Sequence, residues 1–324
     1  MKKMLSLAAC AGAFAIAGTA FAFTPENVEC IAPANPGGGW DFTCRQVGKT
    51  LYDLKLVPQP VKVTNMPGGG GGVAYSYTIS KRGDDANLLV AASTATTTRL
   101  AQNQFAGLME NQVRWVASLG ADFGVIAVSK DSAFKNLADL VAAIKADPAK
   151  VPFAGGSAVG GWDHLKVLLL AKAAGVADAK TVKYVSFNSG GDALTQLLGN
   201  HVSAFTGDIT EIKGQLAAGN IRVLAVLSPE RLPTDPDIPT AAEQGFDVIG
   251  ANWRGFYIPA GVSDEVHEGW GKALETLYNS DEWKQAMETN GLAPFWKGGK
   301  AFQDFVSAQI KDIRDLSKQV GLLK

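Results

Sequence analysis

The chain has 324 residues, 47% of them hydrophobic and 19% charged, with a formal net charge of −1. That length allows two domains, each with its own core. The near balance of charge excludes a basic footprint for nucleic acid and a polybasic membrane patch.

At the N-terminus, Lys2 and Lys3 precede an apolar run from Met4 to about Ala17, and Ala20-Phe21-Ala22 supplies the small residues of a cleavage site. Residues 1–22 therefore read as a signal peptide, with the mature chain starting at Phe23 in the periplasm. A lipoprotein signal is the rival, because Leu7-Ala8-Ala9-Cys10 fits a lipobox; the apolar stretch before Cys10 is short, however, and runs on past it. No other segment reaches the ~18 apolar residues of a membrane span. Removing Lys2 and Lys3 lowers the formal charge from −1 by two, to −3. Cleavage also removes Cys10, leaving Cys30 and Cys44 as an even pair in an oxidising compartment. This favours a disulfide, closing a small loop around a run of glycines, over two buried free thiols.

Short apolar runs then alternate with amphipathic patterns. Strands are predicted at 28–32, 61–64, 88–92, 123–129, 151–154, 182–187, 202–206 and 221–228. Helices are predicted over about 41–52, 72–82, 136–146, 162–174, 190–199 and 210–218. The alternation argues for parallel sheets with helices on both faces. A non-helical stretch around 246–262 follows, and then helices near 263–279, 281–290 and 299–321.

Two glycine runs, "PGGGWD" at 36–41 and "PGGGGG" at 67–72, each follow a strand and precede a helix. In an open α/β sheet, ligands bind at the carboxyl ends of strands. Glycine lets the backbone approach a ligand closely. The first N–H groups of a helix have no intrahelical partner, and the helix dipole is positive at that end. Two such turns face to face make an anion clamp built from main chain. Phosphate fits poorly. Gly48-Lys49-Thr50 ends like a P-loop, but its first glycine position is Thr43; the dinucleotide fingerprint starting at Gly37 and Gly39 fails at Phe42. A carboxylate suits the clamp better, needing fewer donors and no magnesium. The plainer alternative is a pair of tight strand–helix turns.

Catalytic equipment is missing from the pattern. His164, His201 and His267 are scattered, with no metal-ligand spacing. Gly155-Gly156-Ser157-Ala158-Val159 departs from a nucleophile elbow at Val159. The chain therefore reads as a binding protein without metal or cofactor. His164 reads as a surface or helix-capping residue. Asp208 is an N-cap or a ligand contact, and Trp40 packs over the first loop or against the ligand.

In order along the chain, "PGGGWD", "NMPGGGGGVAY", "AGGSAVGG", "VSFNSGGDALTQLLGNHV", "TGDITE", "IRVLAVLSPERLP" and "PTAAEQGFDV" are similar to the periplasmic substrate-binding subunits of tripartite tricarboxylate transporters, the TctC/Bug type. The likeness covers nearly all of the mature chain. "ECIAPANPGGGWDFTC" and "WRGFY" especially resemble members that bind citrate-type tricarboxylates. The resemblance implies a two-lobed α/β flytrap, with two parallel-rich sheets flanked by helices and joined at a hinge. One lobe would hold residues 23–122 with 248–324 returning to it, and the other residues 123–247. The chain would cross between them at 123–128 and 248–258. One carboxylate would be held by Gly37, Gly38, Gly39, Trp40 and Asp41 and by Pro67, Gly68, Gly69, Gly70, Gly71 and Gly72, with Ser93 and Thr94 lining the same lobe. The second lobe would supply Gly156, Ser157, Ser189, Gly190, Gly191 and Asp208. Arg254 would be a cation for a third carboxylate or a hinge salt bridge. The ligand implied is citrate or a related tricarboxylate, delivered by a monomeric receptor to two inner-membrane transporter subunits. The alternatives are a dicarboxylate, an aromatic acid or an acidic amino acid, and service to a sensor kinase.

Overall fold

The computed structural model describes residues 23–324. The expected signal segment and Cys10 lie outside the described residues. The elements in chain order are β1 Glu29–Ala32, α1 Gly39–Asp53, β2 Lys62–Asn65, α2 Gly72–Lys81, β3 Leu88–Ser93, α3 Thr94–Ala101, β4 Val113–Ser129, α4 Leu137–Ala146, β5 Phe153–Gly155, α5 Trp162–Ala173, β6 Tyr184–Ser186 and α6 Gly190–Leu198. They continue with β7 Ala204–Asp208, α7 Ile209–Ala217, β8 Ile221–Val226, β9 Ala251–Pro259, α8 Asp264–Asn279, α9 Asp281–Asn290, β10 Ala293–Gly298 and α10 Gly299–Gln319. Among the described residues no helix is long and apolar enough to cross a membrane.

The strands run in the order β2-β1-β3-β9-β4-β7-β5-β6, with β8 and β10 also paired to β4. Each half is parallel where βα units build it: β1 pairs with β2 and β3, and β5 with β6 and β7. The middle is antiparallel. β9 lies between β3 and β4, and β4 runs on to pair with β7 and β8. One continuous strand thus serves both halves. Its first part, Val113 to Phe123, is in register with β9, and its last part, Gly124 to Ser129, with β7 and β8.

Side-chain alternation explains why the central strands read as unbroken apolar runs. Cys30 and Ala32 face one core with Leu89 and Ala91, whereas Ile31 faces the other with Leu88, Val90 and Ala92. Successive residues of a strand point to opposite faces, and a strand covered on both sides is apolar throughout. Helices α8 and α9 close the first face with Trp270, Leu274, Leu277 and Trp283. Helix α10 closes the second with Phe302, Val306, Ile310 and Ile313, a stripe at helical spacing. In the other half Val125 and Ala127 face one core, and Ile126 and Val128 the other.

Four elements were not anticipated. Helix α3 is rich in threonine, a poor helix former, and is nucleated by Ser93, whose hydroxyl accepts from Ala95 N while Thr96 accepts from Ser93 N. The first part of β4 carries Arg114, Ser118 and Asp122 among its apolar residues, which hides its strand character. The stretch read only as non-helical is β9, and β10 is a short return strand. Cys30 and Cys44 form the expected disulfide, with Cα atoms 5.7 Å apart. It ties β1 to α1 across the first glycine turn.

Candidate functional site

A cavity of about 300 Å³ opens where the carboxyl ends of β1, β2 and β3 face those of β5, β6 and β7. Both halves reach it and touch across it. Asn35 Nδ2 donates to Asp192 Oδ2 at 2.8 Å, and Gln102 Nε2 to the Gly160 carbonyl at 2.7 Å.

The first glycine turn is shaped from below. Asp41 accepts from the Gly37 amide at 3.0 Å and from Arg45 and Asn65. Burial would raise the Asp41 pKa, but these bonds outweigh it and hold the carboxyl below its usual range. Gly37 and Asp41 thus support the turn, while Gly38, Gly39 and Trp40 line the cavity. Trp40 also packs: its Nε1 donates to Ser93 Oγ, and its ring edge lies against Gly71.

In the second turn Gly68, Gly69, Gly70 and Gly71 have φ of 128°, 59°, 63° and 97°. Four consecutive residues in a region closed to ordinary side chains explain the run. Gly68, Gly69 and Gly70 line the cavity; Pro67, Gly71 and Gly72 stand behind it, Gly72 against Phe105. Ser93 lines the cavity, whereas Thr94 turns away to donate to the Ala251 carbonyl.

From the other half, Gly156, Ser157, Ser189, Gly190 and Asp208 line the cavity. Gly191 does not; it approaches Gly37. Ser189 caps α6, accepting from Asp192 N. His164 is buried rather than on the surface. Its Nδ1 accepts from Gly160 N at 2.9 Å ahead of α5, and burial pulls its pKa down to about 4, so the ring is neutral.

Beneath the cavity lies a buried charge network. Arg254 Nη2 contacts Asp122 Oδ2 at 2.7 Å and Asp208 Oδ2 at 2.8 Å. Lys166 Nζ contacts Asp163 and Asp208, each at 2.8 Å, and the Gly207 carbonyl. Asn252 Nδ2 donates to Asp208 as well. Arg254 is therefore already paired, although its side chain lines the cavity and its Nε has no partner among the described residues. It is the salt bridge that joins β9 to β4 and β7. Asp208, awkward beside an anion when read from the sequence, is neutralised by Lys166 and Arg254. Burial raises its pKa, and those two cations more than reverse the effect. Burial leaves Asp122 and Asp163 above their ordinary values despite their partners.

Glu211 sits on top of this network and lines the cavity. Its Oε1 accepts from Gly39 N at 2.9 Å, across the cleft, and its Oε2 from Asp208 N at 3.1 Å. Burial, then the charges of Asp208 and Asp163, push its pKa up to about 8, although part of its surface faces the cavity. Glycine at 39 and 190 leaves room for these groups: a β-carbon on Gly39 would meet the Arg254 guanidinium, and one on Gly190 the Glu211 carboxyl.

Arg99, Glu211, Asp163, Asp192 and Asn252 line the cavity and were missed from the sequence, as was Lys166 behind it. Only Glu211 had a legible signal, the D-x-x-E spacing from Asp208 that marks a capping box. Arg99 Nε, Asn252 Oδ1 and Arg254 Nε are buried without a hydrogen-bond partner among the described residues, and all three side chains line the cavity.

A two-lobed α/β fold with a polar cavity between facing strand ends places a small-molecule site between its halves, the arrangement of a solute-binding receptor. The chain belongs to the tripartite tricarboxylate transporter receptor family, whose model matches residues 44–322. It is 26% identical to protein BugT of Bordetella pertussis over 303 residues, covering 92% of this chain and 90% of that one. Among solved structures, it is similar to the periplasmic binding protein BugD (TM-score 0.82, 22% identity, 92% of this chain and 99% of that one). It is also similar to a Rhodopseudomonas palustris protein with adipate (TM-score 0.83, 23%, 91% and 97%) and to MatC of the same organism with bound malate (TM-score 0.79, 20%, 91% and 99%).

Proposed function

We propose that this receptor binds a small carboxylate between its lobes, citrate or a related tricarboxylate, and delivers it from the periplasm to two inner-membrane transporter subunits. In this reading residues 1–22 are a cleaved signal peptide, and the lobes are 23–122 with 248–324, and 123–247. The two strands that join them, β4 and β9, act as the hinge. The observation that carries the reading is the pair of glycine turns, lining one cavity at the starts of α1 and α2. The Gly37, Gly38 and Gly39 amides are taken by Asp41, the Asn35 carbonyl and Glu211, so the main-chain donors for a carboxylate would come chiefly from the second turn, with no metal needed. The malate and adipate of the two structural neighbours accord with it.

A second reading, an acidic amino acid, is favoured by Asp192, a cavity-lining carboxylate that accepts from the neutral Asn35 amide and has no cationic partner among the described residues. It would receive an ammonium group. A thermal-shift panel of citrate, tricarballylate, succinate, glutamate, benzoate and neutral sugars tests both. A ligand at ~100 times its Kd adds about 2.7 kcal/mol of stability. Shifts with the tricarboxylates are expected. A shift with glutamate alone would transfer the assignment to the second reading, and shifts confined to sugars would refute both.

A further inference from the structure

Arg99 is the side chain the site leaves without a counter-charge. It lies on α3, is 8% exposed and lines the cavity. Its Nη1 reaches the Val159 carbonyl at 3.0 Å and Gln102 Oε1 at 3.4 Å, and its Nη2 reaches Gln104 Oε1 at 3.2 Å. Every one of these acceptors is neutral. Its Nε is buried with no acceptor among the described residues. Burial accordingly pulls its pKa down, with no carboxylate to hold it up. The contrast is Arg254, the other arginine of the cavity wall, which has two aspartates.

A buried, unneutralised guanidinium is expensive unless a partner arrives. The natural partner is a carboxylate, which a guanidinium takes with two parallel hydrogen bonds. The position fits. Nε lies 3.3 Å from the point a β-carbon on Gly70 would occupy, and Ala158 Cβ lies 3.5 Å from the same point. Arg99 thus stands in the cavity wall beside the second glycine turn, across from Ala158.

We propose that Arg99 pairs with a second carboxylate of the ligand and so selects polycarboxylates over monocarboxylates. The proposal rests on the carboxylate-receptor reading, but not on which acid is bound. Calorimetry with citrate, succinate and succinamate tests it, since succinamate keeps the shape of succinate and replaces one carboxylate with an amide. Hydrogen bonds to charged groups are worth ~1.5–3 kcal/mol, so Arg99→Gln should weaken citrate and succinate about 10- to 150-fold. Succinamate binding should change less than about threefold.

A second variant leaves Arg99 in place. Ala158→Asp puts an internal carboxylate beside Nε; it should raise the melting temperature of the free protein and weaken citrate and succinate about tenfold or more. Equal loss for all three probes in Arg99→Gln would overturn the proposal, because the arginine would then merely hold the Val159 loop. Unchanged succinate affinity in Ala158→Asp would overturn it as well. Wild-type protein that binds none of the probes would defeat the carboxylate reading itself, and this proposal with it.

Discussion

Gly39→Ala is the substitution whose effect the structure fixes most tightly. Position 39 is the first residue of α1 and has ordinary helical backbone, so alanine meets no conformational strain there. The obstacle is steric. An ideal β-carbon would lie 2.4 Å from Arg254 Nη2 and 2.5 Å from its Cζ. An arginine head group usually swings aside. This one is buried, and its Nη2 is held at 2.7 Å by Asp122 and 2.8 Å by Asp208. Restoring van der Waals contact requires a retreat of ~1 Å, which stretches both bonds past hydrogen-bonding range. Losing one partner of a buried pair costs ~3–5 kcal/mol. Displacement is milder than removal, and alanine recovers at most ~1 kcal/mol of helix propensity. The expected loss is about 2–3 kcal/mol. Urea denaturation measures it as a lower midpoint at unchanged slope. In an Arg254→Lys background, where the head group is slimmer, the loss should shrink. A change under ~0.5 kcal/mol in the wild-type background would refute the steric argument and release Gly39 from its structural role.

Three further outcomes are expected. Gly214→Ala in α7 adds a β-carbon with nothing within 4 Å and should stabilise by about 0.5–1 kcal/mol in the same urea assay. The Cys30–Cys44 bond spans a sequence separation of 14, so a Cys30→Ala/Cys44→Ala double variant should lose about 3 kcal/mol; retained stability would mean that packing alone holds β1 to α1. Glu211 has a folded pKa of about 8 against an ordinary 4.5, so its contribution is fully present below 4.5 and is lost as the pH rises through about 8. Glu211→Gln, which keeps one of the two acceptors, should flatten that decline in melting temperature against pH, and parallel curves for the two proteins would refute it.

The α/β architecture was legible because the buried strands of each half leave apolar runs and the helices between them leave spaced stripes. What escaped has a common cause. Helix α3 is held by a cap and by tertiary packing against threonine's preference, and β9 joins the sheet through Trp253, Arg254 and Gly255, a poor strand signature. The glycine turns were legible because a main-chain requirement is written directly into composition: only glycine serves at four consecutive positive φ angles. Several of the charged residues were not. Asp163 and Lys166, three apart on α5, have the spacing of an exposed helical ion pair. Both are buried, and their partner Asp208 comes from a strand 42 residues beyond Lys166. Arg99 follows three threonines with no charged neighbour and carries no pattern at all.

The acidic residues around the cavity raise the question of how such a site tolerates an anion. Counting carboxyls would predict repulsion. Pairing offsets most of that charge, because Asp122, Asp163 and Asp208 share Lys166 and Arg254 inside the wall, three carboxyls against two cations, and burial favours the neutral forms of Asp122 and Asp163. Burial and the neighbouring Asp208 and Asp163 push the Glu211 pKa up to about 8, which lessens its charge at neutral pH, and its oxygens accept main-chain N–H groups. In the proposed reading an incoming carboxylate would meet main-chain amides and the guanidinium groups of Arg99 and Arg254, which both line the cavity. Asp192 remains the exception; if the acidic amino acid reading holds, its carboxylate in the wall is the group that would receive the ligand's amino group.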